Sequence, residues 1–185
     1  SAFLLNRSSD LSFSDNNVTL GTSSRRFKQL YAGTTTISTS DERLKQNIET
    51  VPDNVLDVWE DVSFCQFKMR DAVGEKGNSA RLHNGLIAQQ IEGVFSSKGL
   101  NVSDYGLFCY DSWEHKDASI DEKGSVIEEE LLAGDKYSLR YEEALCMEAA
   151  YQRRKNKILE NRISELEKQV SDMLQILQNL TSNNG

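Results

Sequence analysis

Leu159-Glu-Asn-Arg-Ile163-Ser-Glu-Leu166-Glu-Lys-Gln-Val170-Ser-Asp-Met173-Leu-Gln-Ile-Leu177-Gln-Asn-Leu180 is the stretch from which the fold is read. Its large apolar residues return at alternating intervals of four and three. That spacing sets Ile163, Val170 and Leu177 at heptad position a, and Leu159, Leu166, Met173 and Leu180 at d. A helix packing on its own domain follows a 3.6-residue period, whereas this seam keeps 3.5. A single helix would leave the seam in water, so the spacing predicts a parallel coiled coil between copies of the chain. Asn156 at the preceding a position, and β-branched a residues facing Leu at d, lean towards two strands on side-chain preference.

Upstream, residues 41–141 read as a mixed α+β region. Asn54-Val-Leu56-Asp-Val58-Trp59 has helical spacing, and Phe64-Cys-Gln-Phe67-Lys-Met69 alternates like a strand. His83-Asn-Gly85-Leu-Ile-Ala88 reads as a strand running into an amphipathic helix through Gln89-Gln-Ile91-Glu-Gly-Val94-Phe95, and Tyr105-Gly-Leu-Phe-Cys-Tyr110 as a further strand. Val126-Ile127…Leu131-Leu132 and Tyr137-Ser-Leu139-Arg-Tyr141, joined across Ala133-Gly134-Asp135-Lys136, predict a hairpin with a Gly-Asp turn. Residues 71–81 and 111–124 read as polar loops.

The first forty residues differ in kind. Ser, Thr, Asn and Gly fill 20 of these 40 positions. Arg7, Arg25, Arg26 and Lys28 outweigh Asp10 and Asp15, giving +2 against −10 for the remainder. Leu11-Ser-Phe13, Val18-Thr-Leu20 and Phe27-Lys-Gln-Leu30-Tyr31, set between polar turns, predict short strands. So few large apolar side chains cannot offset the ordering entropy of the segment alone, so it is expected to be the end of a longer β-rich fibre or stalk. The expected division is stalk over 1–40, α+β core over 41–145 and coiled-coil helix over 146–185.

The 185 residues carry a net charge of −8 and a sequence pI near 4.9, without the basic footprint of a nucleic-acid binder. No apolar run approaches the 18 or so residues of a membrane span, so neither nucleic acid nor membrane is expected as a partner. Cys65, Cys109 and Cys146 are widely spaced, and His83 and His115 are the only histidines to join them, which makes no structural zinc set. No metal or cofactor is expected. P-loop, GxGxxG, GxSxG and HExxH patterns are all missing.

At the composition boundary stands Ser40-Asp41-Glu42-Arg43-Leu44-Lys45-Gln46-Asn47-Ile48, with a hydroxyl and an amine five residues apart. A serine needs a base to become a nucleophile, and a lysine serves as one only when its environment favours the neutral amine. Taken alone, the pair reads as a helix cap and a solvated side chain. Arg153, Arg154, Lys155 and Lys157 form a basic cluster, read either as a charged helix face or as a grip on acidic residues of a partner.

The stretch Ser40–Ile48 resembles the opening motif of the C-terminal intramolecular chaperone, or auto-processing, domain of phage tailspikes, tail fibres and endosialidases. Gly85-Leu-Ile-Ala-Gln-Gln-Ile-Glu92, Tyr137-Ser-Leu-Arg-Tyr-Glu-Glu-Ala-Leu145 and the terminal heptads fit the same family, and Leu20-Gly-Thr-Ser-Ser-Arg-Arg-Phe-Lys-Gln-Leu-Tyr31 resembles the segment that ends the fibre before it. The resemblance implies an α+β domain with a long C-terminal helix in a trimeric coiled coil, and we follow it over the dimer preference of the heptads. It implies a homotrimer that aligns the upstream fibre of the same polypeptide in the host cytoplasm, then cuts itself free between Ser40 and Asp41, leaving the fibre in the virion tail. Ser40 would be the nucleophile, Lys45 the general base, and Glu42 or Asp41 a support. Attack of Ser40 Oγ on its own carbonyl closes a four-membered ring, so the route runs through another copy's serine, a water or an indirect path. The competing reading is a trimerisation module that is never cut and stays on the mature fibre.

Overall fold

Asp53-Asn-Val-Leu-Asp-Val-Trp59 forms helix α1 because Pro52, at φ −64°, enters it without an amide to satisfy and its carbonyl accepts from Val55 and Leu56 at 3.1 and 3.2 Å. This is a computed structural model, and it describes residues 19–29, 31, 33, 37–122 and 124–182. The described chain forms two units, one drawn from Ser1–Leu44 with Tyr110–Lys136, the other from Lys45–Cys109 with Tyr137–Gly185.

The second unit holds the core. Strands β1 (Cys65–Phe67) and β2 (His83–Gly85) pair antiparallel with Cys65 opposite Gly85. β2 leads into helix α3 (Ala88–Ser97), which buries Ala88, Ile91 and Phe95 on one face, as the sequence spacing predicts. Its end is a Schellman cap: Gly99 takes φ +75°, its N–H reaches Ser96 O at 3.0 Å, and Leu100 N–H reaches Phe95 O at 3.0 Å. A 3₁₀ turn at Val102–Asp104 follows, and Phe95, fully buried, meets the Tyr105 ring edge-on at 5.1 Å. Leu56, Val58 and Trp59 from α1 close this core with Leu86, Val102, Leu107 and Phe108.

Residues 71–81 depart from the loop reading. Helix α2 (Arg70–Lys76) and a 3₁₀ turn at Gly77–Ser79 occupy them, and neither buries a residue. A helix with no buried face has no apolar period to betray it, and here local bonds such as Lys68 Nζ to Asn78 O, 2.7 Å, hold the segment.

The predicted hairpin is also corrected. β5 (Val126–Glu128) pairs with β4 (Ser119–Ile120), inside the stretch read as loop, while Gly134–Leu139 is one continuous strand, β6, paired with β3 (Phe108–Trp113). Gly134 is not a turn residue. The Trp113 indole packs on it so closely that a β-carbon there would lie 3.1 Å from the ring, and Trp113 Nε1 donates to Leu132 O at 2.9 Å.

The first unit contains the β4–β5 pair and a bend around Gly21, whose φ is +82°. Thr22 N–H donates to Arg25 O, and Arg25 N–H donates back to Thr22 Oγ1, both at 3.0 Å. Arg25 also reaches Glu129 O at 3.0 Å. The described residues of the predicted strands at Val18–Leu20 and Phe27–Tyr31 lie in bends and irregular chain; Leu11–Phe13 falls outside the described residues.

The chain ends its described course in helix α4, Tyr141–Ser182. Ala144 and Tyr151 are its buried residues. The architecture is thus a small α+β domain carrying a long C-terminal helix.

Candidate functional site

Ser40 lies on exposed, irregular chain in the first unit, and Glu42-Arg-Leu44 forms a 3₁₀ turn just after it. The residue that caps this turn is Asp41, not Ser40. Its Oδ1 accepts the Arg43 backbone N–H at 2.9 Å, and its carbonyl accepts Leu44 N–H at 3.1 Å. The Arg43 guanidinium then clasps the same carboxylate, Nε to Oδ1 at 3.0 Å and Nη2 to Oδ2 at 2.5 Å. This fork holds the Asp41 carboxyl below its ordinary value and raises the guanidinium in turn. Asp41, expected as a support for Lys45, is therefore engaged by Arg43. Glu42 is exposed within the turn.

Lys45 is the first residue of the second unit and is exposed. Two residues on, Asn47 takes φ +52°, a left-handed conformation that asparagine tolerates better than most side chains, so the Lys-Gln-Asn-Ile part of the opening motif encodes a change of direction.

The other motif stretches meet each other in the second unit. Tyr141 Oη accepts Leu86 N–H at 3.1 Å and lies over Gly85, where an added β-carbon would collide with that hydroxyl and press on the Phe67 ring. Arg140 N–H donates to Leu107 O at 2.8 Å and its guanidinium donates to Gly106 O. Glu143 covers Gly106 in the same manner as Tyr141 covers Gly85. So the two glycines mark close approaches rather than turns, and the Tyr137–Leu145 stretch fastens the start of α4 to the domain.

Three polar ties fix the next turns of α4 to α1. Trp59 Nε1 donates to Glu148 Oε2 at 2.8 Å, and Tyr151 Oη donates to Glu60 Oε1 at 3.0 Å. Arg154 reaches Asp53 O at 3.0 Å and Asp57 Oδ1 at 2.5 Å. The sequence puts Arg154 and Lys155 in a basic cluster for a partner or for solvent. The structure gives Arg154 to α1 and Lys155 to the Tyr151 hydroxyl, 3.1 Å away. For Arg154 only the acceptors on α1, far away in sequence, reveal this.

Past Arg154 the helix leaves the core, and its heptad seam is open: Leu159, Ile163, Leu166, Val170, Met173, Leu177 and Leu180 are between 43 and 61% exposed. Such a contiguous apolar stripe on a helix anchored at one end is a surface built to be covered.

The family described as chaperone of endosialidase matches residues 40–100. A tail spike protein of Escherichia virus K5 is 38% identical over 152 residues, covering 80% of this chain and 23% of that protein. A crystal structure described as a novel intramolecular chaperone is 48% identical with a TM-score of 0.57, covering 64% of this chain and 98% of that one. The carboxy-terminal domain of the bacteriophage T5 L-shaped tail fibre with its intramolecular chaperone domain is 28% identical with a TM-score of 0.66, covering 83% and 38% respectively. The chain thus spans less than a quarter of the length of the curated relative from Escherichia virus K5.

Proposed function

We propose, from the premise that this chain belongs to the chaperone-of-endosialidase family, that it is an intramolecular chaperone which trimerises the end of a phage tail fibre or tailspike and then frees itself by autoproteolysis. Residues 1–40 end the stalk, 41–145 form the chaperone core and 146–185 supply a trimeric coiled coil. The observation that carries this reading is helix α4, tied by its first turns to the core through Glu148, Tyr151 and Arg154 and presenting an uncovered seam beyond them.

Three long chains that must intertwine in register face slow, non-local closure. A coiled coil at one end converts that encounter into an intramolecular one by raising the effective concentration of the chain ends. Removal of the seed afterwards leaves a product held by its barrier to unfolding.

The release step is hydrolysis of the Ser40–Asp41 peptide: the bond opens, Ser40 gains a carboxyl and Asp41 a free amine. Ser40 Oγ is the nucleophile; Lys45 takes its proton and passes it to the departing Asp41 amine, and water then cleaves the ester so formed, restoring the hydroxyl and leaving Ser40 its carboxyl. Because a serine cannot attack its own carbonyl without a four-membered ring, the hydroxyl acts on a neighbouring copy or through a water. The family match that starts at Ser40, and the clasp that fixes Asp41 immediately after the bond, support this placement.

The chaperone reading is tested by the solution mass of a Ser40→Ala chain. A trimer, three times 20.9 kDa, is expected; a monomer at micromolar concentration contradicts it. A trimer whose wild type is never cut leaves instead a module retained on the fibre.

A further inference from the structure

The seam says that copies of α4 meet but not how they are aligned. Apolar a and d layers repeat every seven residues, so a slip by one heptad costs one layer and sets Asn156 against Ile163, while the other apolar layers still match. The flanking charges remove that freedom. Seam numbering puts Glu148, Lys155 and Arg162 at g, and Arg153, Glu160 and Glu167 at e. In a parallel coiled coil each g residue faces the e residue five positions later on the neighbouring helix. At zero offset the facing pairs are Glu148 with Arg153, Lys155 with Glu160 and Arg162 with Glu167, all attractive. Slipped one heptad one way, Glu148 faces Glu160 while Lys155 faces Glu167; slipped the other way, Lys155 faces Arg153 while Arg162 faces Glu160, so either slip exchanges three attractive pairs for one attractive and one repulsive pair.

Resting on the trimer reading above, we propose that the seam is a docking surface for two further copies of this same chain, aligned at zero offset by the g-to-e pairs Lys155–Glu160 and Arg162–Glu167. These two rungs lie past the last tie to the core. Lys155 is exposed, as is Glu167, and the Glu160 and Arg162 side chains are 69 and 59% exposed. Their present partners exchange readily: Arg162 holds Glu165 at 2.7 Å on the open surface, and Lys155 holds the Tyr151 hydroxyl one turn back on its own helix. Glu148 is more committed, bonded to Trp59 and, at 2.8 Å, to Gln152, so it fixes the start of the charge pattern relative to the domain. An offset error here would pass into every layer of the fibre that the coil aligns, which is why charge selectivity, worth little as stability, matters as alignment.

Charge exchange in full-length Ser40→Ala chains tests this by sedimentation equilibrium. Lys155→Glu with Arg162→Glu, and separately Glu160→Lys with Glu167→Lys, place like charges at both rungs. Each double variant is expected to raise the half-assembly concentration by about tenfold or more, because several weak pairs add over three interfaces. The quadruple variant restores opposite charges between helices, while the intrahelical Arg162–Glu165 and Lys157–Glu160 pairs stay broken. Its return to within about threefold of the parent therefore identifies pairing between chains. Double variants that assemble like the parent, or a quadruple variant no better than they are, overturn the proposal while leaving the trimer intact. A monomeric parent overturns the trimer reading and this proposal together.

Discussion

Asp41 and Arg43 show how a single pair of side chains organises the junction. The carboxylate caps the 3₁₀ turn and is gripped by the guanidinium, which favours its charged form. A depressed folded value means that the clasp is fully formed above the carboxyl's ordinary 3.8 and opens only as pH falls below that, through the folded value. We expect the Asp41 carboxyl to titrate below 3.8 by NMR, and Arg43→Gln to move it back up; an unchanged midpoint contradicts the clasp. Gly85 is a second residue-scale case. Gly85→Ala drives a methyl into the Tyr141 hydroxyl, and overpacking of this kind costs about 1–3 kcal/mol. Denaturant unfolding measures it, and Tyr141→Phe combined with Gly85→Ala recovers part of the loss if the hydroxyl is the obstacle.

At the scale of elements, the helices with a regular apolar face, buried or open, were legible in the sequence, and the helix without one was not. Ile91 and Phe95 on α3, and Val55, Leu56, Val58 and Trp59 on α1, repeat with a helical period because the core selects them. Helix α2 buries nothing and so leaves no such pattern. Gly134 read as a turn because glycine permits turns, yet here it makes room for Trp113, a partner that no local rule supplies. The local geometry of the opening motif was not legible: the cap sits one residue later than the serine, on Asp41. Phe95→Ala in the last turn of α3 removes the ring most enclosed by the core and is expected to cost about 3–5 kcal/mol in equilibrium unfolding. Arg154→Met, at the α1–α4 tie, loosens the root of the long helix. Hydrogen exchange should then accelerate in α1 and over residues 141–155 while α3 stays protected, and equal protection throughout contradicts the tie.

Over the whole molecule, α4 divides into a root anchored to the core and an open seam, the division on which the proposed trimer rests. The seam contributes nothing to the described chain's own interior, so Val170→Asp is expected to leave the unfolding of the core unchanged while abolishing the trimer in light scattering. Loss of both together contradicts this separation. In the proposed function the domain that aligns the chains also carries its release site, with Ser40 and Lys45 on either side of the Asp41 turn in the sequence. The central claim is that the chain cuts itself there. Intact mass spectrometry of freshly purified wild type beside Ser40→Ala and Lys45→Ala tests it most directly: the account predicts that wild type yields a fragment beginning at Asp41 while both variants keep their full mass, and a wild type that stays whole as a trimer, or a Ser40→Ala chain that is still cut, contradicts it.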